Sequence, residues 1–268
     1  MLNLNLWRPK PGSGPAGNPP AAAIPAAATV RSLLRIVVLN SKGGCGKTTL
    51  STNLAGYYAC CGYRTALLDT DPQGSSMLWL RNRAAHHPRV TGISAYERAG
   101  RVTRSFQLRV PPDIERLIVD TPAALDGMRL QELTRGADAI LIPVLPSDID
   151  IHAASRCIAE LLLTAHIDRR AGQVAVIANR VKKNTLMYDK LLRFLQSLGI
   201  PFIATLRDTQ NSVHASEQGV CIHELDARKI GEDVREWEEL IRWLESRQTP
   251  AAATTAAPLT QPGNQPAG

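Results

Sequence analysis

Residues 41–49 read Ser-Lys-Gly-Gly-Cys-Gly-Lys-Thr-Thr, a run rich in glycine, cation and hydroxyl. Gly43, Gly44 and Gly46 let the backbone curl so that successive N–H groups face one anion. A helix starting at Lys47 would add its N-terminal dipole to the same anion. Lys47 can then reach terminal phosphates, and the Thr48 hydroxyl can hold Mg²⁺. Measured against the G-x-x-x-x-G-K-[ST] pattern, the first glycine falls at Ser41, and a second lysine, Lys42, lies inside the loop. Two acidic stretches complete the chemistry: Asp69-Thr70-Asp71-Pro72-Gln73-Gly74 and Asp120-Thr121-Pro122, each closing an apolar run. An aspartate at a strand end is often only a turn former or helix cap. A pair of them downstream of a phosphate loop is what hydrolysis of a nucleoside triphosphate requires, because that reaction needs held phosphates, a cation and a positioned water.

Such a site needs strand ends that bring these segments together. The apolar runs at 34–39, 64–69, 114–119, 139–144 and 174–178 are short and nearly continuous, the pattern of strands buried on both faces. Helical patterns at 47–61, 75–83, 126–135, 150–165 and 186–197 alternate with them, and an amphipathic helix is expected over 234–244. Strands alternating with crossover helices predict a doubly wound, mostly parallel α/β sheet with the ligand at the strand C-termini. Residues 84–112 read less clearly, with strands expected near Val90–Ile93 and Phe106–Val110.

The run K-G-G-x-G-K-T-T resembles the deviant Walker A loop of the ParA/MinD partition and positioning ATPases, and the likeness extends from about Leu34 to about Leu244. The resemblance implies a P-loop NTPase domain that binds ATP and Mg²⁺ through Lys42, Gly43, Gly44, Cys45, Gly46, Lys47, Thr48 and Thr49. In that family the inner lysine, here Lys42, reaches across a nucleotide-sandwich homodimer to the phosphates of the other subunit. Asp71 matches the switch I acid that orients the attacking water, and Asp120 the Walker B acid. With Thr48 they form the implied Mg²⁺ set, while Lys42, Lys47, Asp71 and Asp120 form the implied catalytic set. The family usually has a second proline where this chain has Ala123. Asn179-Arg180, ending the fifth strand, matches the adenine-side position, where a carboxamide suits a purine edge. The segment 206–211 and the helix after it resemble the C-terminal adenine-side loop. Family members cycle on non-specific DNA under the control of a ParB-like or cargo-adaptor protein, which implies slow, partner-stimulated turnover and a nucleoid-associated, cytoplasmic location.

Charge and composition add to this. The chain of 268 residues has a formal net charge of +7, unevenly spread. Residues 79–110 carry seven arginines against Glu97 alone, and 164–210 are also basic, whereas 211–246 are acidic. Basic segments of this kind suit a polyanion, and Lys182, Lys183, Lys190, Arg193 and Arg207 are the candidate DNA-binding residues by charge and location. Residues 1–33 and 247–268, dominated by small residues and proline, are expected to be disordered arms flanking one domain over 34–246. No apolar stretch approaches the ~18 residues of a membrane span, and no signal pattern opens the chain, so a cytoplasmic location is expected. The cysteines, Cys45, Cys60, Cys61, Cys157 and Cys221, show no metal spacing and read as reduced thiols, with burial favoured over a redox role for Cys60-Cys61. Two other readings remain open. A membrane-cycling ATPase of the MinD type would need a basic lipid-facing last helix, yet this one is acid-rich. A metabolic enzyme on the same P-loop would need a substrate pocket.

Overall fold

Alternation within the apolar runs decides how the layers assemble. In the computed structural model, which describes residues 32–96, 110–182 and 185–248, the strands are β1 (Leu34–Val38), β2 (Thr65–Asp69), β3 (Val90–Ser94), β4 (Arg116–Asp120), β5 (Ala139–Val144), β6 (Val174–Val181) and β7 (Phe202–Arg207). They form one sheet in the order β3-β2-β4-β1-β5-β6-β7, and every pairing is parallel. The expected doubly wound α/β sheet is therefore present. Residues 1–31 and 249–268 of the expected arms, the segment Phe106–Arg109 and Lys183 lie outside the described residues.

Successive side chains of a strand point to opposite faces. Val37, Leu68, Val119 and Ile140 accordingly join one apolar layer with α3 (Gly127–Thr134), α4 (Asp148–Leu163) and α5 (Leu186–Ser197). Ile36, Val38, Leu67, Ile118 and Leu141 join the other with α1 (Lys47–Cys60), α2 (Ser75–Asn82) and α7 (Ala227–Glu245). A shorter helix, α6 (Gln210–Gln218), follows β7. Helix α1 is apolar or small almost all round, as a helix packed on every side must be.

Two elements depart from expectation. Phe202–Arg207 is a strand at one edge of the sheet, although only its last residues stood out in the sequence. Helix α7 begins at Ala227, seven residues ahead of the expected start, with Asp226 as its cap accepting from the Arg228 N–H. Charge also anchors this helix. The fully buried Arg116 of β4 lies 3.8 Å from the Tyr63 ring centre and reaches Glu245 at 3.2 Å.

Candidate nucleotide site

The loop between β1 and α1 sits at the sheet's switch point, where β1 is flanked by β4 and β5. Gly44 and Gly46 have φ of 76° and 94°, the left-handed region that favours glycine. At Gly46 there is a second constraint, since an added Cβ would lie 2.2 Å from Asn179 Nδ2. The Asn179 amide donates to the Cys45 carbonyl at 2.8 Å, so β6 clasps the phosphate loop from the side. Asn40, buried at the end of β1, holds the loop's other limb. Its amide donates to the Pro143 carbonyl at 2.8 Å, and its Oδ1 accepts the Lys42 N–H at 3.1 Å. Nothing in the sequence pattern marked Asn40.

Lys47 is buried and donates to the Lys42 carbonyl at 3.0 Å, folded across the loop it serves. Lys42, the inner lysine, is half-buried. Cys45 is buried, with its thiol on the Lys42 carbonyl at 3.2 Å, and burial raises its pKa.

The acids meet through strand register. Asp69 and Asp120 are partners on the adjacent strands β2 and β4, and Asp120 is also level with Val38 at the end of β1. Asp120 is 1 % exposed and accepts from Ser51 Oγ at 3.2 Å and from Ser76 Oγ, with the Thr48 hydroxyl nearby. Burial raises its pKa while these hydroxyls pull it down. Asp69 accepts the N–H groups of Asp71 at 3.0 Å and Met77 at 3.2 Å, which shapes the turn that carries Asp71. Burial, and then repulsion from Asp120, push its pKa up to about 6. Asp71 is half-buried on that turn and accepts the Gln73 N–H at 3.0 Å. A cation would fit here. The donors are carboxylates and hydroxyls, the hard oxygen set Mg²⁺ prefers, and the repulsion between Asp69 and Asp120 favours a cation beside them.

Beside the phosphate loop opens a cavity of about 310 Å³, lined by Gly46, Asn179, Leu206, Thr209, Ile222 and Trp237 among others. That falls at the lower end of small-molecule sites, about 300–1,000 Å³. Arg180 adopts φ 51°, and its guanidinium pairs with Asp208 at 3.1 Å across the cavity mouth. Arg207 also lines this cavity, and here the sequence-based placement needs correcting. Its guanidinium is engaged by Glu232 at 2.5 Å and by Asp233, so it stands as a wall element rather than a free cation on an outer face. Lys190, though exposed, pairs with Asp148 at 2.5 Å, and Lys182 and Arg193 are also exposed.

A parallel sheet with a glycine-rich phosphate loop, a buried lysine and paired acids at its switch point defines a P-loop nucleotide-binding domain. The model of the CobQ/CobB/MinD/ParA nucleotide-binding domain matches residues 36–222, and the chain belongs to that family. Among curated relatives, the maintenance of carboxysome distribution protein A of Halothiobacillus neapolitanus is 30% identical over 72% of this chain and 88% of its own length. Its namesake from Gloeobacter kilaueensis is 31% identical over 75% of this chain and 94% of its own. Among solved structures, a plasmid partition protein of Borrelia burgdorferi bound to AMPPNP superposes with a TM-score of 0.64. It covers 79% of this chain and 100% of that one at 16% identity. The chain is thus a ParA/MinD-family ATPase.

Proposed function

We propose that the chain is a positioning ATPase that dimerises around ATP–Mg²⁺, binds DNA without sequence preference in that state, and lets go on hydrolysis. The observation that carries the reading is the placement of Lys42 and Lys47 on one phosphate loop, with Asp120 behind it and Asp71 on the neighbouring turn. Thr48 and Asp120 would hold the Mg²⁺ side, with Asp71 near the attacking water. Asn179 and the 310 Å³ cavity would take the base. Bound Mg²⁺ supplies charge neutralisation for the phosphates. Lys47 would swing from the Lys42 carbonyl to the terminal phosphates, freeing the Lys42 backbone as a partner subunit docks.

The names of the relatives carry the cargo reading. Two are carboxysome-distribution proteins, so a large protein assembly reached through an adaptor is the cargo we favour over a plasmid or chromosome. Lys182 and Arg193 are exposed cations proposed for DNA, with Lys183 next to Lys182 in sequence. The membrane-cycling alternative is disfavoured by α7. Its apolar residues Ile230, Trp237, Leu240 and Leu244 are all in the core, which leaves the acidic side outward. No helix among the described residues is long and apolar enough to cross a membrane.

Retention on random-sequence DNA is expected only with ATP and Mg²⁺, and to weaken steeply with salt. Lys182→Ala or Arg193→Ala should each lower the slope of log affinity against log salt by about one, the share of a single phosphate neutralised by that side chain. Retention that ignores nucleotide, or persists at high salt, would contradict the reading.

A further inference from the structure

Helix α1 carries Gly56 where any side chain would strike its neighbour, since an added Cβ would lie 2.6 Å from Cys221 Cβ and 2.9 Å from its sulfur. Cys221 therefore lies directly on the helix surface. Four residues on from Gly56, on the same helix face, is Cys60. The two sulfurs lie within 4.8 Å of each other, although 161 positions apart in numbering (60 to 221). A carboxylate oxygen of Glu224 completes the cluster, but that carboxylate is already engaged. It accepts from Arg83 at 2.7 and 2.8 Å and from the Cys221 N–H at 2.8 Å, and it pairs with His87 at 3.0 Å. With Glu224 so committed, the cluster favours thiol chemistry over a metal.

We propose that Cys60 and Cys221 are a peroxide-responsive dithiol that closes to a disulfide. Their exposures divide the work. Cys60 is half-buried and can meet a small oxidant, whereas Cys221 is 0 % exposed and can act only on its neighbour. The Cys60 thiolate attacks a hydroperoxide oxygen; the S–O bond forms, the O–O bond breaks, and the leaving oxygen departs as water after taking a proton. The Cys221 sulfur then attacks the Cys60 sulfur. The S–S bond forms, the S–O bond breaks, and hydroxide leaves as a second water with the Cys221 proton. Two thiols are oxidised and one hydrogen peroxide is reduced to two waters. The link would fasten the phosphate-loop helix to Ile222, which lines the nucleotide cavity and whose N–H is already held by Asn53 of α1 at 2.7 Å.

The full chain treated with hydrogen peroxide, alkylated and digested with trypsin should yield peptide 48–64 joined to peptide 208–228. The link is expected to survive Cys61→Ser, to vanish in Cys60→Ser, and to raise the melting temperature by several degrees until dithiothreitol reverses it. Three results would overturn the proposal: Cys60 advancing to sulfinic acid without the link, a link that persists in Cys60→Ser, or stoichiometric zinc on the purified chain.

Discussion

At the scale of single residues, the site combines groups that the sequence announces with groups that only strand register reveals. The phosphate loop, Asp71 and Asp120 are legible because glycine spacing and strand-end acids form a local pattern. Asp69 is in plain view in D-x-D-P-Q-G, yet its burden arises from lying level with Asp120 on the next strand. Ser76 and Asn40 were silent, since a hydroxyl or carboxamide in sequence says nothing of the carboxylate or carbonyl it will meet. Asp69 yields a pH prediction. Its folded pKa of about 6 stands above the ordinary 3.8, so between these values the native state holds the proton that the unfolded chain releases. Stability of the nucleotide-free protein should therefore fall as pH rises from about 4 to about 6, by on the order of 3 kcal/mol for this group. Urea unfolding across that range checks it, with Asp69→Asn expected to flatten the slope. For Gly46→Ala, backbone strain and collision with Asn179 act together. We expect a loss of about 1–3 kcal/mol of stability and at least about tenfold weaker binding of a fluorescent ATP analogue.

At the scale of elements, most strands and helices follow from apolar runs, and the exceptions have physical causes. β7 lies between Pro201 and Asp208, is only partly buried, and so lacks the continuous apolar run of the central strands. The first turns of α7 hold one apolar anchor, Ile230, beside Gly231, so the helical period becomes visible only from Val234 onward. These C-terminal elements matter because they wall the nucleotide cavity, and a long-range ion pair fixes them. Arg83, just past α2, and Glu224 are 5% and 7% exposed and meet at 2.7 Å, with the Arg83 guanidinium 5.2 Å from the Trp79 ring centre. Burial alone would raise the Glu224 pKa, but its bonds to Arg83 and the Cys221 N–H hold it below the ordinary value. Arg83→Ala would leave a buried carboxylate without its counter-charge. It should cost about 3 kcal/mol or more in chemical denaturation, and a change below about 1 kcal/mol would show that the pair is not what ties α2 to this wall.

At the scale of the whole molecule, a parallel sheet brings residues in or just after β1, β2, β4 and β6 together at the C-terminal ends of its strands. Lys47 bonds to its own loop, and Lys42 is half-buried at the loop's start. The proposed role of Lys42 nevertheless lies across an interface, and that is the central claim. Light scattering of the full chain with ATP and Mg²⁺ tests it most directly. The native protein and Asp71→Ala should both run as dimers, the variant persistently because its hydrolysis is blocked, while Lys42→Ala should stay monomeric at the same concentration. A Lys42→Ala protein that still dimerises with ATP would contradict the two-subunit switch.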